Sequence, residues 1–284
     1  MSAVLAGLRD DWALPASAGL LFIDAATGQP VQDGLQCELL LRRNQHSLGR
    51  ALCSPSGVHH WPELHARWRD ALPPPLVDAE VGVQVDIQVD VLADVVVTDT
   101  RGRFLPLAID WPLPASLGGE QVGTQRLVRV PLLSAPARDA PPGYASVYAL
   151  LVWHATQQPA AWARVLLADA AGRISLGGCD AAGRLALHLA LPRPQRPAVN
   201  PPPPGVVSAT VSLQVFFDLD LGPVAERLAA PDMLAFSNQA EVRALARADQ
   251  TTALDALRLE VGHPAVPTTA GMAPALSELR LVPR

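Results

Sequence analysis

Hydrophobic positions along this chain recur mostly at every second residue, in short runs closed by turn residues. Val81, Val83, Val85, Ile87, Val89 and Val91 alternate with Gly82, Gln84, Asp86, Gln88 and Asp90. Residues 81–91 are therefore predicted to form a strand with one aliphatic and one wet face. The phase slips over residues 92–95, where a bulge or corner is expected, and residues 94–98 lead to a turn at Asp99-Thr100-Arg101-Gly102. Residues 159–192 carry three further strands with their turns. The first, 161–168, ends in Asp169-Ala170-Ala171-Gly172, and the second, 173–176, is closed by Gly177-Gly178. The third, 184–191, follows Asp180-Ala181-Ala182-Gly183 and sets Leu185, Leu187, Leu189 and Leu191 on one face, as a half-buried antiparallel strand requires.

The same logic extends along the rest of the chain. Strands are predicted at 17–24, 35–41, 48–53, 58–61, 104–111 and 126–133, and then at 144–153, 206–218, 257–261 and 279–282. Residues 62–75 interrupt this order, with room for one or two helical turns around 65–69. Asp232 is placed to cap a short helix running to Ala246, a stretch whose apolar spacing fits a strand nearly as well. In residues 134–143, SAPARDAPPG, the alternation stops and three prolines enter, which marks a linker. The predicted organisation is an N-terminal sandwich over 1–134, a Pro-rich linker over 135–143 and a C-terminal sandwich over 144–284, with few contacts crossing the linker. Residues 193–205, RPQRPAVNPPPPG, hold six prolines and are expected to leave the sheet as a polyproline-like excursion.

Composition narrows the chemistry. The 284 residues suffice for one large domain or two of about 140. Hydrophobic residues make up 49% and aromatics only 5%, so the core is built mainly from Leu, Val and Ala. All 22 basic residues are arginine. Without lysine there is no Walker-type phosphate loop, no Schiff-base lysine and no serine–lysine dyad. The net charge of −5 and the lack of a basic stripe argue against a nucleic-acid partner. Cys37, Cys53 and Cys179 are odd in number and widely spaced, so they make no disulfide framework and fit a reducing compartment. The first residues, MSAVLAGLRDDWALP, lack a basic segment followed by a long apolar run. No window reaches the ~18 apolar residues of a membrane span. A cytoplasmic location is expected, with later export or release as part of a particle.

Few side chains converge on chemistry. His59, His60, Glu63 and His65, with Cys53 upstream, form the one metal-like cluster. Adjacent histidines in a strand point to opposite faces, and Pro62 prevents the helix that an HExxH-type site needs, so no metal is expected there. Asp86, Asp90 and Asp94 look like a carboxylate row, but the first two lie ~13 Å apart along a strand, too far for one ion or an acid–base pair, and a solvated face is expected. Asp218 and Asp220 beside Gly222 resemble half of a calcium loop without its further ligands. No Gly-x-Ser-x-Gly elbow occurs. No catalytic residue and no cofactor is expected.

The phrase GGCDAAGRLALHLALP, residues 177–192, resembles the carboxypeptidase regulatory-like family, in which a Thr/Cys-Asp-x-x-Gly turn joins two strands of a small sandwich. DAATGQPVQDGLQCELLL followed by SPSGVHHWPEL looks like a diverged version. With the order of strands, the resemblance implies an all-β chain of two tandem transthyretin/Ig-like antiparallel β-sandwiches with short helical insertions. RGRFLPLAIDWPLP (101–114) and VPLLSAPARDAPPGYASVYALLVW (130–153) resemble a narrower group that accompanies bacterial phage-tail-like contractile injection systems. That resemblance implies a non-enzymatic structural or adaptor component, with other subunits of a multi-subunit particle, or further copies of itself, as partners. Arg193, Pro194, Arg196, Pro197, Pro201, Pro202, Pro203 and Pro204 are the candidate partner-docking loop. The alternative is a carbohydrate- or cell-surface-binding module with Trp61, Trp68 and Trp153 as stacking groups. A metal-dependent hydrolase centred on residues 59–65 is a third reading.

Overall fold

The computed structural model describes residues 19–42, 44–62, 92–112, 127–191, 207–221, 230–249, 252–272 and 277–284. The predicted strand at 81–91, the helical turns at 65–69 and the loop at 193–205 lie outside these residues. The first unit contains β1 (Gly19–Asp24), β2 (Leu35–Leu41), β3 (Ser47–Arg50), β4 (Leu52–Cys53), β5 (Val58–His60), β6 (Leu92–Asp99), β7 (Leu107–Pro112) and β8 (Leu127–Leu132). The second contains β9 (Tyr144–Trp153), β10 (Arg164–Asp169), β11 (Ile174–Gly178), β12 (Arg184–Ala190), β13 (Ser208–Phe216), α1 (Met233–Ser237), β14 (Glu241–Ala244), β15 (Ala256–Glu260) and β16 (Glu278–Pro283). The chain is all-β, in two tandem sandwich units.

Two four-stranded sheets, β4-β5-β1-β8 and β3-β2-β6-β7, face each other in the first unit. Leu20 and Phe22 from one sheet and Leu39, Leu41, Val95 and Val97 from the other bury their side chains in one core, as alternation at period two demands. The predicted strand 48–53 is broken at Ala51. Residues before it pair with β2 and residues after it pair with β5, so this strand turns the corner between sheets. In the second unit β14 joins the corresponding halves into one eight-stranded sheet curled around Val147, Leu151, Val165, Leu187, Val215 and Leu281. The helix predicted to reach Ala246 ends at Asn238. Asp232 caps it, accepting from the Ala235 amide, but Val242 and Ala244 alternate inward and the chain continues as β14.

Around their first strands the two units repeat one scheme of pairing. The first strand of each, β1 or β9, pairs parallel with the last, β8 or β16, and antiparallel with β5 or β12. Leu21 stands opposite Val58 and Arg129; Leu150 stands opposite Arg184 and Glu278. After the first strand, the Val31 amide bonds the Phe22 carbonyl and the Gly28 amide that of Asp24. In the second unit Ala160 bonds Leu151 and Gln157 bonds Trp153 in the same way. These turns read Ala-Thr-Gly-Gln-Pro at 26–30 and Ala-Thr-Gln-Gln-Pro at 155–159. The hinge at Ser54–Val58 matches that at Asp180–Arg184, with Gly57 and Gly183 in equivalent left-handed positions. By this scheme the turn at Asp24 corresponds to the turn after Trp153, whereas the turn at Asp169 follows the second strand of its own unit.

Candidate functional site

The side chains with the most chemistry gather where the two units meet. Asp24, the last residue of β1, receives two hydrogen bonds from Arg138, at 2.9 and 2.6 Å, while Thr27 and the Ala26 amide supply two more. Burial works to raise the Asp24 pKa, but these hydrogen bonds outweigh it, so the carboxyl titrates below its ordinary value. Arg138 also donates to the Ser134 hydroxyl and stacks 4.8 Å over the Phe104 ring. Both members of the ion pair are nearly buried. Residues 135–143 are therefore held, not free: the Ala135 amide bonds the Arg103 carbonyl, and the Tyr148 hydroxyl donates to the Arg138 carbonyl.

On the side of the second unit, β12 presents His188 from the face opposite its leucines. The imidazole is 1% exposed, its Nδ1 lies 3.2 Å from the Ser146 hydroxyl, and its ring meets the Tyr148 ring edge-on at 6.1 Å. Ser175 donates to the His188 carbonyl. Strand β12 was expected to be half-buried from its leucines; Leu185, Ala186, Leu187, His188 and Leu189 are all buried, because its outer face is covered as well.

A second, apolar contact lies beside the polar one. Leu105 and Leu133 from the first unit pack with Phe236 of α1, and Leu176 and Leu221 close around them. A Cβ on Gly178 would stand 2.9 Å from Leu133 and 3.0 Å from Phe236, so the missing side chain is what lets the units approach. The Ala108 amide of β7 bonds the Pro231 carbonyl, and Ala108 bridges Asp232 in parallel, which extends the first unit's sheet with residues from the second. Trp162, buried with φ +61°, lines a cavity of about 20 Å³ here with Leu105, Cys179 and Phe236. That space holds no more than about one water.

The residues singled out from sequence fall elsewhere. His59 is buried and His60 half-buried, on opposite faces of β5. His59 Nδ1 lies 3.5 Å from the Cys37 thiol. Burial pushes Cys37 up to about 12 and, with His60, holds His59 below its ordinary value, so the two stay neutral and make no thiolate–imidazolium pair. Glu63 and His65 lie outside the described residues, as do Asp86 and Asp90. Asp94, expected on a solvated face, is 1% exposed and ion-paired with Arg42 at 2.5 Å. An alternating strand can hide a carboxylate on its outer face when an arginine covers it. Asp218 accepts from the Asp220 amide, which makes a turn. Among the described residues no three His, Cys, Asp or Glu side chains are grouped to hold a metal. Trp153 is a core residue against Phe217, ring centroids 5.3 Å apart, so it offers no stacking surface. Trp61 packs on the first core and donates to the Gly49 carbonyl; Trp68 lies outside the described residues. The cysteines are free. Among the described residues no helix is long and apolar enough to cross a membrane. Sequence reasoning missed the junction. Its one local signal was an arginine inside a linker of otherwise small residues and prolines.

A scan against protein-family models finds no match, and a search of curated proteins finds none. Solved structures give faint likenesses. The shaft pilin SpaA from Lactobacillus rhamnosus GG is 8% identical, with 94% of this chain and 96% of that one covered and a TM-score of 0.24. The Streptococcal ancillary pilin is 11% identical over 94% and 62%, with a TM-score of 0.22. The C-terminal fragment of the pilus adhesin SpaC from Lactobacillus rhamnosus GG is 14% identical over 93% and 95%, with a TM-score of 0.19.

Proposed function

We propose that this chain is a structural adaptor of a phage-tail-like contractile injection assembly, working through protein–protein contacts and not by catalysis. The observation that carries the reading is the junction. Asp24, Ser134, Arg138, Ser146 and His188 are buried or nearly so where the units meet; Asp24 and Ser134 hold the Arg138 side chain from the first unit, and the Tyr148 hydroxyl of β9 donates to the Arg138 carbonyl from the second. Two units held this way offer neighbouring subunits a fixed pair of surfaces, which lowers the entropy lost on assembly. The phrases at 101–114 and 130–153 support the kind of particle by resemblance, and the second of them contains Arg138. In this reading the partner-docking loop is the segment with Arg193, Pro194, Arg196, Pro197 and Pro201 to Pro204. The test is to tag the chain in its own cells and purify contractile sheath-and-tube particles by sedimentation. The tagged chain should sediment with them in constant ratio to the sheath; complete, functional particles without it overturn the reading.

A further inference from the structure

The junction contains a titratable group that fastening alone leaves unused. His188 is packed under the linker, its Nε2 on the side of the Arg138 carbonyl but without a well-formed hydrogen bond to any described residue, beside an arginine whose carboxylate partner Asp24 is already engaged. We propose that the junction is an acid-sensitive latch between the two units, in which neutral His188 holds the linker against the second sheet and protonated His188 releases it.

The groups that face the imidazole come from every element packed on it. They are Ser146 and Tyr148 from β9, Arg138 from the linker, and Asp24 from β1 beyond it; Ser175 of β11 bonds only the His188 carbonyl. A proton on His188 would place a second cation next to the Arg138 guanidinium, in a site where water cannot screen it. Asp24 could not neutralise both. Burial first, and Arg138 next, hold His188 below the ordinary imidazole value of 6.5, against weaker opposing pulls from Asp24 and the Arg138 carbonyl. An opened junction would expose the ring to water and restore the ordinary value. Closure is therefore complete above about pH 6.5 and weakens as pH falls below it toward the lowered value. Asp24 stays ionised through this range because its own carboxyl titrates below 3.8, so the Asp24–Arg138 pair does not blur the transition. The latch depends on this geometry alone and holds whatever the two units are attached to.

Hydrogen exchange on the full chain, with each rate divided by the intrinsic rate at that pH, separates the latch from general acid unfolding. The Ala108 amide bonds the Pro231 carbonyl across the junction, from the first unit to the second; Leu39 and Val165 lie in central strands of the two units. Between pH 7 and pH 5 the Ala108 amide should lose protection progressively, while Leu39 and Val165 hold. His188→Gln can hydrogen-bond Ser146 in either direction and cannot titrate, so its junction should stay protected at pH 5. His188→Asn is the second variant if Gln does not pack. An unchanged junction in the wild type overturns the latch, and so does the same loss in a folded variant. Should neither variant fold, the wild-type His188 proton titration decides: a midpoint at or above 6.5 overturns it.

Discussion

Gly183 sits at φ +74° with the Leu151 carbonyl oxygen 2.5 Å from where a Cβ would stand. Gly172, at φ +78°, has nothing within 4 Å of that position. Gly172→Ala should therefore cost only the left-handed penalty of ~1–2 kcal/mol, whereas Gly183→Ala should cost ~3 kcal/mol or more because backbone must move. Urea midpoints of the two variants check this difference. The turns around these glycines were legible as turns but not in their full chemistry. Asp99, Asp169 and Asp180 each accept from the amides two and four residues on and pair with the arginine at i+4. The motif is thus Asp-x-x-Gly-Arg, and the arginine belongs to it. Asp94 was not legible, because the residue that buries it, Arg42, lies 52 positions away. Asp24→Asn should weaken the fold at pH 7 by about 3 kcal/mol, since a nearly buried arginine loses its carboxylate. The Asp24 pKa is lowered on folding, so its contribution is present above the ordinary carboxylate value and is lost as pH falls through the lowered one. Thermal melts from pH 7 to pH 3 should show a flatter acid limb in the variant.

At the scale of elements, α1 is five residues long and too short to stand by propensity alone. It is held by the Asp232 cap and by Phe236, 3% exposed between Leu105 and Leu133. Phe236→Ala should cost ~3 kcal/mol and should loosen the junction more than either core. Gly178→Val should act alike by driving a wedge between Leu133 and Phe236. Both are read by comparing hydrogen exchange at Ala108, bonded to the Pro231 carbonyl across the junction, with that at Leu39 and Val165. Strands were the part of the fold that single positions announce: β2 and β9 lie where alternation put them. The duplication was harder to see. Its local trace, Ala-Thr-x-Gln-Pro at 26–30 and 155–159, is five residues long, and the remainder of the repeat lives in register. Register depends on which strands meet, and no window of sequence contains both partners. The corner at Ala51 was hidden for the same reason, since its neighbours β2 and β5 belong to different sheets.

For the whole molecule, residues 134–143 lie between β8 and β9 and are bonded to both strand sets. Proline and small residues end the alternation; Arg138 then reaches back across 114 positions to Asp24. Such a contact is invisible to composition, because one arginine in ten residues is unremarkable until its partner is in place. The adaptor reading makes its own demand on the loop at 193–205. Its six prolines have no backbone N–H to donate. They also restrict the unbound chain, which reduces the entropy lost when a partner fixes it. Arg193 and Arg196 give the loop two positive charges and no negative one, which would suit an acidic surface on the partner. Replacement of 193–205 by a Gly/Ser loop of equal length should leave the thermal midpoint within ~3 °C, as surface substitutions contribute little. Incorporation into particles should fall at least about tenfold, the equivalent of 1.4 kcal/mol of lost contact. Restoring Arg193 and Arg196 in the flexible loop should recover part of that loss if charge contributes, and none if only the proline scaffold matters. A folded loop variant that still enters particles at the wild-type ratio would make the segment a spacer and remove the docking role.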